Sequence, residues 1–215
     1  VVNDEIQEAW SLLRQGPLNY GADGIQGPVE DVWAAKPNLT AKPASYWGKT
    51  MNNAIGTYTK ARHQMLIDAT YKLISQSSVI APGTIYESNY NYDLVEFGGG
   101  VLADYAYYLL LGINEAKTAS NTALYEARRD AFLQLILDVD AFKGTNLNFR
   151  LGKWTQEARD AAGEVIGATT ATPDWYEYNN ARTIVSTWSS PATNLNDYSY
   201  RSWQGLMKDL YYPRW

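Results

Sequence analysis

The chain has 215 residues, of which 46% are hydrophobic and 19% are charged, a composition typical of a folded protein long enough for one large domain or two small ones. Its formal net charge of −5, without any cluster of Lys or Arg, would repel phosphate backbones, so we expect no nucleic acid partner. The absence of cysteine excludes a thiol nucleophile, disulfide bonds and cysteine metal ligands.

The sequence predicts neither a membrane partner nor a leader. Its longest apolar stretch, Tyr105 to Ile113, is much shorter than the roughly 18 apolar residues that a spanning helix requires. Residue 1 is Val and no signal peptide is visible, so we expect the chain to be a piece cut from a longer precursor. The sequon Asn38-Leu39-Thr40 makes Asn38 a candidate glycosylation site if the protein passes through a eukaryotic secretory route.

The first predicted helix covers Asp4 to Gln15, where apolar residues recur at helical spacing until Gly16-Pro17 ends the pattern. A loop rich in Gly and Pro follows over residues 16 to 44, far longer than the usual connection of roughly 2 to 8 residues. Trp33, in its middle, is the candidate residue that anchors this loop, to the local core or to a neighbouring surface. A second apolar stripe, between Tyr58 and Ser77, predicts the next helix.

The third predicted helix, Tyr92 to Lys117, contains Gly98-Gly99-Gly100, and each glycine disfavours a helix by roughly 1 kcal/mol relative to Ala. Either another helix packs very close to this backbone, or the helix breaks there. Ser120 is the predicted cap of a fourth helix that Gly144 ends. A fifth helix is predicted from Arg150 to about Val165.

The C-terminal residues predict a helical hairpin. Thr172-Pro173-Asp174 is a strong start for a helix that continues to about Ser186. Pro191 interrupts the helical pattern, and Asn194 or Asn196 can cap a second helix that ends before Pro213. Without strand periodicity anywhere, the chain predicts an all-α fold. We expect one domain over residues 1–215, an irregular bundle of about seven helices with one long Gly/Pro-rich loop near the N-terminus.

No catalytic constellation stands out in the sequence. Hydrolysis of a glycoside usually requires two carboxyl groups that face each other across the bond, but most Asp and Glu residues here fall on predicted wet helix faces. His63 is the only histidine, and its neighbours Arg62 and Gln64 predict a surface position. We therefore assign no catalytic residue, no metal ligand and no cofactor to this chain.

The C-terminal third nevertheless contains an ordered string of motifs. They are Leu151-Gly152-Lys153-Trp154, Glu157-Ala158-Arg159, Tyr176-Glu177-Tyr178-Asn179, Arg182, Thr187-Trp188, Asn194-Leu195-Asn196-Asp197-Tyr198, Gly205-Leu206 and Tyr211-Tyr212-Pro213-Arg214-Trp215. This string resembles a known family, the C-terminal helical domain of the α-N-acetylglucosaminidases of glycoside hydrolase family 89, and the resemblance continues more thinly through Tyr92-Asp93-Leu94-Val95.

The resemblance implies a partner and a site. In that family the two catalytic glutamates lie in an (α/β)8 barrel that precedes the helical domain, and the enzymes remove terminal α-linked GlcNAc from glycans with retention and without a metal. The family implies that the wall of the GlcNAc pocket includes Trp188, Leu195 and Tyr198. It also implies half-buried or buried structural supports, which are Arg182, Asp197 and Arg214. Mammalian members have a pocket histidine where this chain has Pro28, so that contact is missing or supplied elsewhere. The compartment is left open among secreted, periplasmic and lysosomal.

A second interpretation is a non-catalytic helical module that binds carbohydrate or docks onto another protein. It is suggested by the eight Trp and seventeen Tyr of an acidic chain, because aromatic rings can stack on the apolar face of a sugar. A helical-toroid lyase acting on an acidic polysaccharide fits neither the negative charge nor the single histidine.

Overall fold

The computed structural model describes residues 3–18, 32–34, 37, 39, 55–165, 167–185 and 201–215. Within these ranges the chain forms seven α-helices and no β-strand, which confirms the predicted all-α class. The helices are α1 (Asp4–Gln15), α2 (Ile55–Ser75), α3 (Ile85–Thr118), α4 (Thr122–Lys143), α5 (Leu151–Ala161), α6 (Thr172–Val185) and α7 (Tyr212–Arg214). A π-helical segment, Met207–Tyr211, precedes α7. Most of the predicted Gly/Pro-rich loop lies outside the described residues.

Two compact units divide the chain. The first unit comprises Val1–Val32 and Asn38–Leu135, and the second unit comprises Trp33–Pro37 and Ile136–Trp215. Helix α4 begins in the first unit and ends in the second. The single domain expected over residues 1–215 stays a prediction.

The first unit is built on α1, α2 and α3. Asn3 caps α1, because its Oδ1 accepts the N–H of Ile6 at 3.0 Å. Tyr90 of α3 buries its ring and donates its hydroxyl hydrogen to the carbonyl of Leu73 on α2 at 2.5 Å. Burial raises the pKa of the Tyr90 hydroxyl. The buried apolar side chains that join these three helices are those of Ala9, Leu13, Leu66, Ala69, Leu73 and Tyr90.

Helix α3 runs without a break through Gly98-Gly99-Gly100. A Cβ atom added at Gly100 would lie 3.1 Å from Cδ2 of Leu66 on α2, so the close-packing alternative holds at this glycine. Further along, the Arg128 guanidinium of α4 lies against Gly112 and donates from Nη1 to its carbonyl at 2.6 Å. A Cβ at Gly112 would meet Cζ of Arg128 at 2.9 Å, so this glycine admits the arginine.

Two predicted helix starts were wrong. Helix α3 begins at Ile85 rather than Tyr92, because Thr84 caps it: its Oγ1 accepts the N–H of Glu87 at 3.4 Å. The Glu87 carboxylate also accepts the N–H of Gly83 at 2.6 Å. Helix α4 is capped by Asn121, whose Oδ1 accepts the N–H of Leu124 at 3.1 Å, whereas Ser120 adopts a positive φ of 53° in the turn before it.

Among the described helices, α3 alone is long and apolar enough to cross a membrane by length and composition. Of the most apolar 18-residue window of α3, 33% is buried within the protein. Core helices of folded domains pass the same test.

The second unit contains the end of α4, the helices α5 and α6, and the C-terminal segment from Arg201. Helices α5 and α6 pack against each other. The described part of the predicted second helix of the hairpin, from Asn194 or Asn196 to before Pro213, was wrong in two places: residues 201–204 are not helical, and the helical segment after them continues through Pro213. The buried apolar residues of this unit are Trp33, Ala34, Ile136, Val139, Phe149, Ala162, Leu206, Met207 and Tyr211.

Candidate functional site

The predicted pocket wall, Trp188, Leu195 and Tyr198, lies outside the described residues, as do the predicted support Asp197 and the sequon residue Asn38. The structure describes the protein on both sides of the segment 186–200. Helix α6 leads into that segment, and residues 201–215 follow it. These two flanks, helix α6 and residues 201–215, both belong to the second unit.

Helix α6 is fastened to α5 by charge. Arg159 of α5 donates from Nη1 to the carboxylates of Asp174 and Glu177, the second at 2.8 Å. These two bonds raise the pKa of the Arg159 guanidinium, so it stays charged. Arg182, one of the predicted supports, lies near the end of α6 with an exposed side chain, so the expected burial was wrong. Its role as a support stays a prediction.

The other flank begins with a backbone bridge to the start of α5. Gln204 donates its N–H to the carbonyl of Phe149 at 2.8 Å, and its carbonyl accepts the N–H of Leu151 at 3.1 Å. The rings of Trp203 and Trp154 stack with centroids 5.4 Å apart and an interplanar angle of 14°. Both rings are also covered by cations, since Lys153 lies 3.9 Å from the Trp154 centroid and Arg201 lies 4.9 Å from that of Trp203.

The C-terminal helical segment is capped by a residue distant in sequence. Gly205 has φ +93° and no side chain that could cap the helix that follows. Asp140 of α4 supplies the missing acceptor, because its Oδ1 accepts the N–H groups of Gly205 at 2.7 Å and Lys208 at 3.1 Å. The Asp140 side chain is only 7% exposed. Asp140 was not predicted from the sequence, where it is only a carboxylate directly after Val139 of the apolar stripe.

A third set of bonds joins the C-terminus to Trp33, which is fully buried. The indole Nε1 of Trp33 donates to Ser202 Oγ at 2.7 Å, and its carbonyl accepts the indole N–H of Trp215 at 2.8 Å. Arg214, a predicted support, donates from Nη2 to the carbonyl of Ala34 at 2.5 Å and to that of Trp33 at 3.3 Å. Of the two anchoring alternatives for Trp33, the local core is the one observed.

His63 is not the wet surface residue that its neighbours predicted. It is half-buried on α2, and its Nδ1 lies 3.0 Å from Oδ2 of Asp104 on α3. Its ring also tilts against Tyr108, with centroids 5.6 Å apart. Burial and, secondarily, the Asp104 carboxylate raise the pKa of the Tyr108 hydroxyl. The polar neighbours Arg62 and Gln64 were a poor guide to its position, because the half-buried Asp104 carboxylate on the neighbouring helix gives the histidine a polar partner.

Among the described residues, no three His, Cys, Asp or Glu side chains lie close enough together to bind a metal ion. No pair of carboxylates in that part of the chain was assigned a catalytic role from the sequence. The described contacts instead form a frame on both sides of the segment 186–200. This frame consists of the Arg159 bonds to α6 and of the contacts of Trp203 and Gln204 with α5.

Comparison with known proteins shows which family the chain belongs to. The model of one protein family, described as the Alpha-N-acetylglucosaminidase (NAGLU) C-terminal domain, matches residues 1–215. The chain belongs to this family. The resemblance stated from the motifs Leu151 to Trp215 is thereby confirmed, and it extends over the whole chain.

The relatives of this family member are glycosidases. Human Alpha-N-acetylglucosaminidase is 23% identical over 211 residues, which cover 96% of the chain and 25% of the human protein. A family 89 glycoside hydrolase from Clostridium perfringens, solved in complex with PUGNAc, is 27% identical with a TM-score of 0.78 over 100% of the chain and 23% of that protein. The same hydrolase in complex with its substrate GlcNAc-alpha-1,4-galactose gives 26% identity and a TM-score of 0.76.

The shares of length matter for function. The chain spans about a quarter of the human relative and of the solved Clostridium perfringens hydrolase. The family is defined as a C-terminal domain, so most of each relative lies outside the region that the chain matches.

Proposed function

We propose that this chain is the helical C-terminal domain of an exo-acting α-N-acetylglucosaminidase, which packs on an upstream (β/α)8 catalytic barrel and completes the pocket for terminal α-linked GlcNAc. The observation that carries the proposal is the match of the whole chain to a hydrolase solved with its GlcNAc-containing substrate, at a TM-score of 0.76. The family match over residues 1–215 supports the same conclusion.

In this proposal the barrel supplies the chemistry. Two carboxyl groups roughly 5 to 5.5 Å apart act there as nucleophile and as acid/base, giving net retention of the anomeric configuration. The helical domain contributes the wall: Trp188 stacks on the C–H face of the pyranose, while Leu195 and the Tyr198 ring close its sides. No metal and no cofactor takes part.

The described flanks suit such a wall, because a site built on a fixed frame holds its side chains more precisely than one on a free loop. Arg159 fastens α6 on one side of the segment 186–200, and the Trp154–Trp203 stack fastens the chain on the other. We assign structural support to Arg182, Asp197 and Arg214. We further propose that the protein acts outside the cytosol, as a secreted, periplasmic or lysosomal enzyme, with Asn38 glycosylated in a eukaryotic host.

The test uses the full-length protein and the 215-residue chain side by side. The full-length protein should hydrolyse an aryl α-GlcNAc and release α-GlcNAc as the first product, which proton NMR distinguishes from the β anomer. The 215-residue chain alone should show no turnover. Turnover by the chain alone, or a first product of β configuration, would contradict the proposal.

Calorimetry separates this proposal from the alternative carbohydrate-binding module. The chain alone, holding only part of a pocket, should bind GlcNAc too weakly to measure at millimolar concentration, which corresponds to less than about 4 kcal/mol of binding free energy. Tight binding of GlcNAc or a glycan fragment by the chain alone, together with an inactive full-length protein, would favour the independent module.

A further inference from the structure

Helix α6 exposes two large aromatic side chains on one face. Trp175 is 61% exposed and Tyr178 is 64% exposed, and a spacing of three residues places both rings on the same side of the helix. The carboxylates of Asp174 and Glu177, which bind Arg159 of α5, precede them by one residue each and so lie about 100° away round the helix. The aromatic face is therefore distinct from the face that holds α6 on α5.

This face is not built as a solvated surface. No side chain that the structure describes on α6 is buried, although the helix has 14 residues and isolated helices of that length are marginal in water. Trp and Tyr are the residue types enriched in the energetic centres of protein interfaces. Helix α6 packs against α5, but the rings of Trp175 and Tyr178 remain mostly exposed on a face that α5 does not cover.

The Trp175 ring is also held in place before any partner arrives. The Tyr176 ring packs edge-on against Trp175, with centroids 5.3 Å apart and an interplanar angle of 64°. The side-chain amide of Asn179 donates to the carbonyl of Trp175 at 2.7 Å, which fixes the turn between the two exposed rings. A surface ordered in advance loses less conformational entropy on binding, so it suits a docking site.

We propose that the face formed by Trp175 and Tyr178 docks onto the upstream part of the same polypeptide, an inference that rests on the proposed function. The occupant follows from length: the chain matches 25% of the human relative and 23% of the solved hydrolase, in a family defined as a C-terminal domain. The upstream polypeptide is thus a covalently attached surface at high effective concentration. The chemistry required of it is an apolar recess rimmed by acceptors for the indole N–H and the phenol hydroxyl.

Photocrosslinking in the full-length protein tests the contact. The photoreactive amino acid p-benzoylphenylalanine is placed at Trp175, at Tyr178 or, as a control, at Glu126, an exposed position on the polar face of α4. After irradiation, mass spectrometry should find crosslinks from positions 175 and 178 to peptides upstream of the 215-residue chain, and none from position 126. Crosslinks to a second copy of the protein, no crosslink at all, or equal crosslinking from position 126 would overturn the inference.

A second measurement does not depend on the unnatural residue. Trp175→Ala in the full-length protein should increase the rate of limited proteolysis at the junction before the helical domain by at least tenfold, a modest value for an interface anchor. Glu126→Ala should leave that rate unchanged, and so should Trp175→Ala if the ring only faces solvent. Hydrolysis of aryl α-GlcNAc by the wild-type protein decides the proposed function separately. Activity without an upstream crosslink would overturn only the docking surface, and a crosslink in an inactive protein would overturn only the function.

Discussion

Replacement of Asp140 by Ala tests the cap that begins the C-terminal helical segment. The Asp140 carboxylate, 7% exposed, accepts two backbone N–H groups, at 2.7 Å from Gly205 and at 3.1 Å from Lys208. A hydrogen bond to a charged group contributes about 1.5 to 3 kcal/mol, and the alanine leaves both donors without an acceptor. We therefore expect Asp140→Ala to lower the free energy of unfolding by about 3 to 5 kcal/mol.

Asp140→Asn separates the hydrogen bonds from the space that the side chain fills. The asparagine keeps one acceptor oxygen but loses the charge, so we expect a smaller loss of about 1 to 2 kcal/mol. Asp130→Ala on the same helix is the control, because Asp130 is exposed and pairs only with its neighbour Arg129 in the described contacts. It should change the free energy of unfolding by less than about 0.5 kcal/mol.

Urea denaturation followed by far-ultraviolet circular dichroism measures all three variants. The midpoints should fall in the order wild type and Asp130→Ala, then Asp140→Asn, then Asp140→Ala, with similar dependence on urea concentration. If Asp140→Ala loses less than about 1 kcal/mol, or no more than Asp130→Ala, the carboxylate does not act as the cap. If the alanine variant does not fold, the asparagine variant still decides the question.

Further predictions concern the site, the frame and the first unit. In the full-length protein Trp188→Ala should lower kcat/KM at least tenfold, about 1.4 kcal/mol, at an unchanged melting temperature; unfolding with normal activity per folded molecule would make Trp188 a core residue. Arg214→Ala should do the reverse, lowering the melting temperature while sparing KM, because it removes the donor to the buried Ala34 carbonyl and leaves the Trp33 carbonyl with Trp215 as its donor. Burial and the neighbouring Glu96 raise the pKa of Asp93. The charged carboxylate therefore opposes folding at pH values above the ordinary pKa of an aspartate, near 3.9. Asp93→Asn should therefore raise the melting temperature at pH 7, by a margin that disappears as the pH falls through the raised pKa; an unchanged margin at acidic pH would contradict this. Gly112→Ala should lower the free energy of unfolding by about 1 to 3 kcal/mol in the same urea assay, since its methyl group displaces Arg128, and a neutral result would show that the arginine moves freely.

Local signals explain most of what the sequence predicted correctly. Helix α1 has its cap at Asn3 and its stop at Gly16, and α6 has its start at Thr172 and its end at Val185, close to the predicted bounds. These features depend on residues within one or two turns of each other. The late predicted start of α3 was an avoidable miss, because Thr84 and Glu87 stand at capping-box spacing.

Contacts between distant segments explain what the sequence did not predict. Asp140 and Gly205 are separated by 65 positions, and nothing near either residue points to the other. The stack of Trp154 on Trp203 joins a motif that the family resemblance had marked to a residue outside those motifs, and the spacing of the two residues carries no information on contact. Because the backbone N–H and carbonyl of Gln204 bond to Phe149 and Leu151, Gln204 does not take part in the longer helix that the pattern predicted.

The candidate site was predicted from resemblance rather than from physical signals. The family itself is confirmed over the whole chain, while the roles of Trp188, Leu195 and Tyr198 stay predictions. Aromatic residues on a helix end are more often core or interface than binding site, so composition alone could not have selected these three. Of the two exposed rings on α6, Tyr178 was taken from the sequence only as part of a family motif, and Trp175, directly before that motif, was not singled out.

The bonds between Trp33 and the C-terminus also set an order of events during synthesis. Arg214 and Ala34, which they join, are 180 positions apart. A ribosome that adds roughly 5 to 20 residues per second exposes Trp33 roughly 9 to 36 s before its partners exist. Throughout that interval the largest buried ring of the second unit has no native site, and it is available to chaperones or to other nascent chains. Slower translation anywhere between Trp33 and Arg214 would lengthen this interval, so the yield of soluble protein should depend on codon usage over that whole stretch.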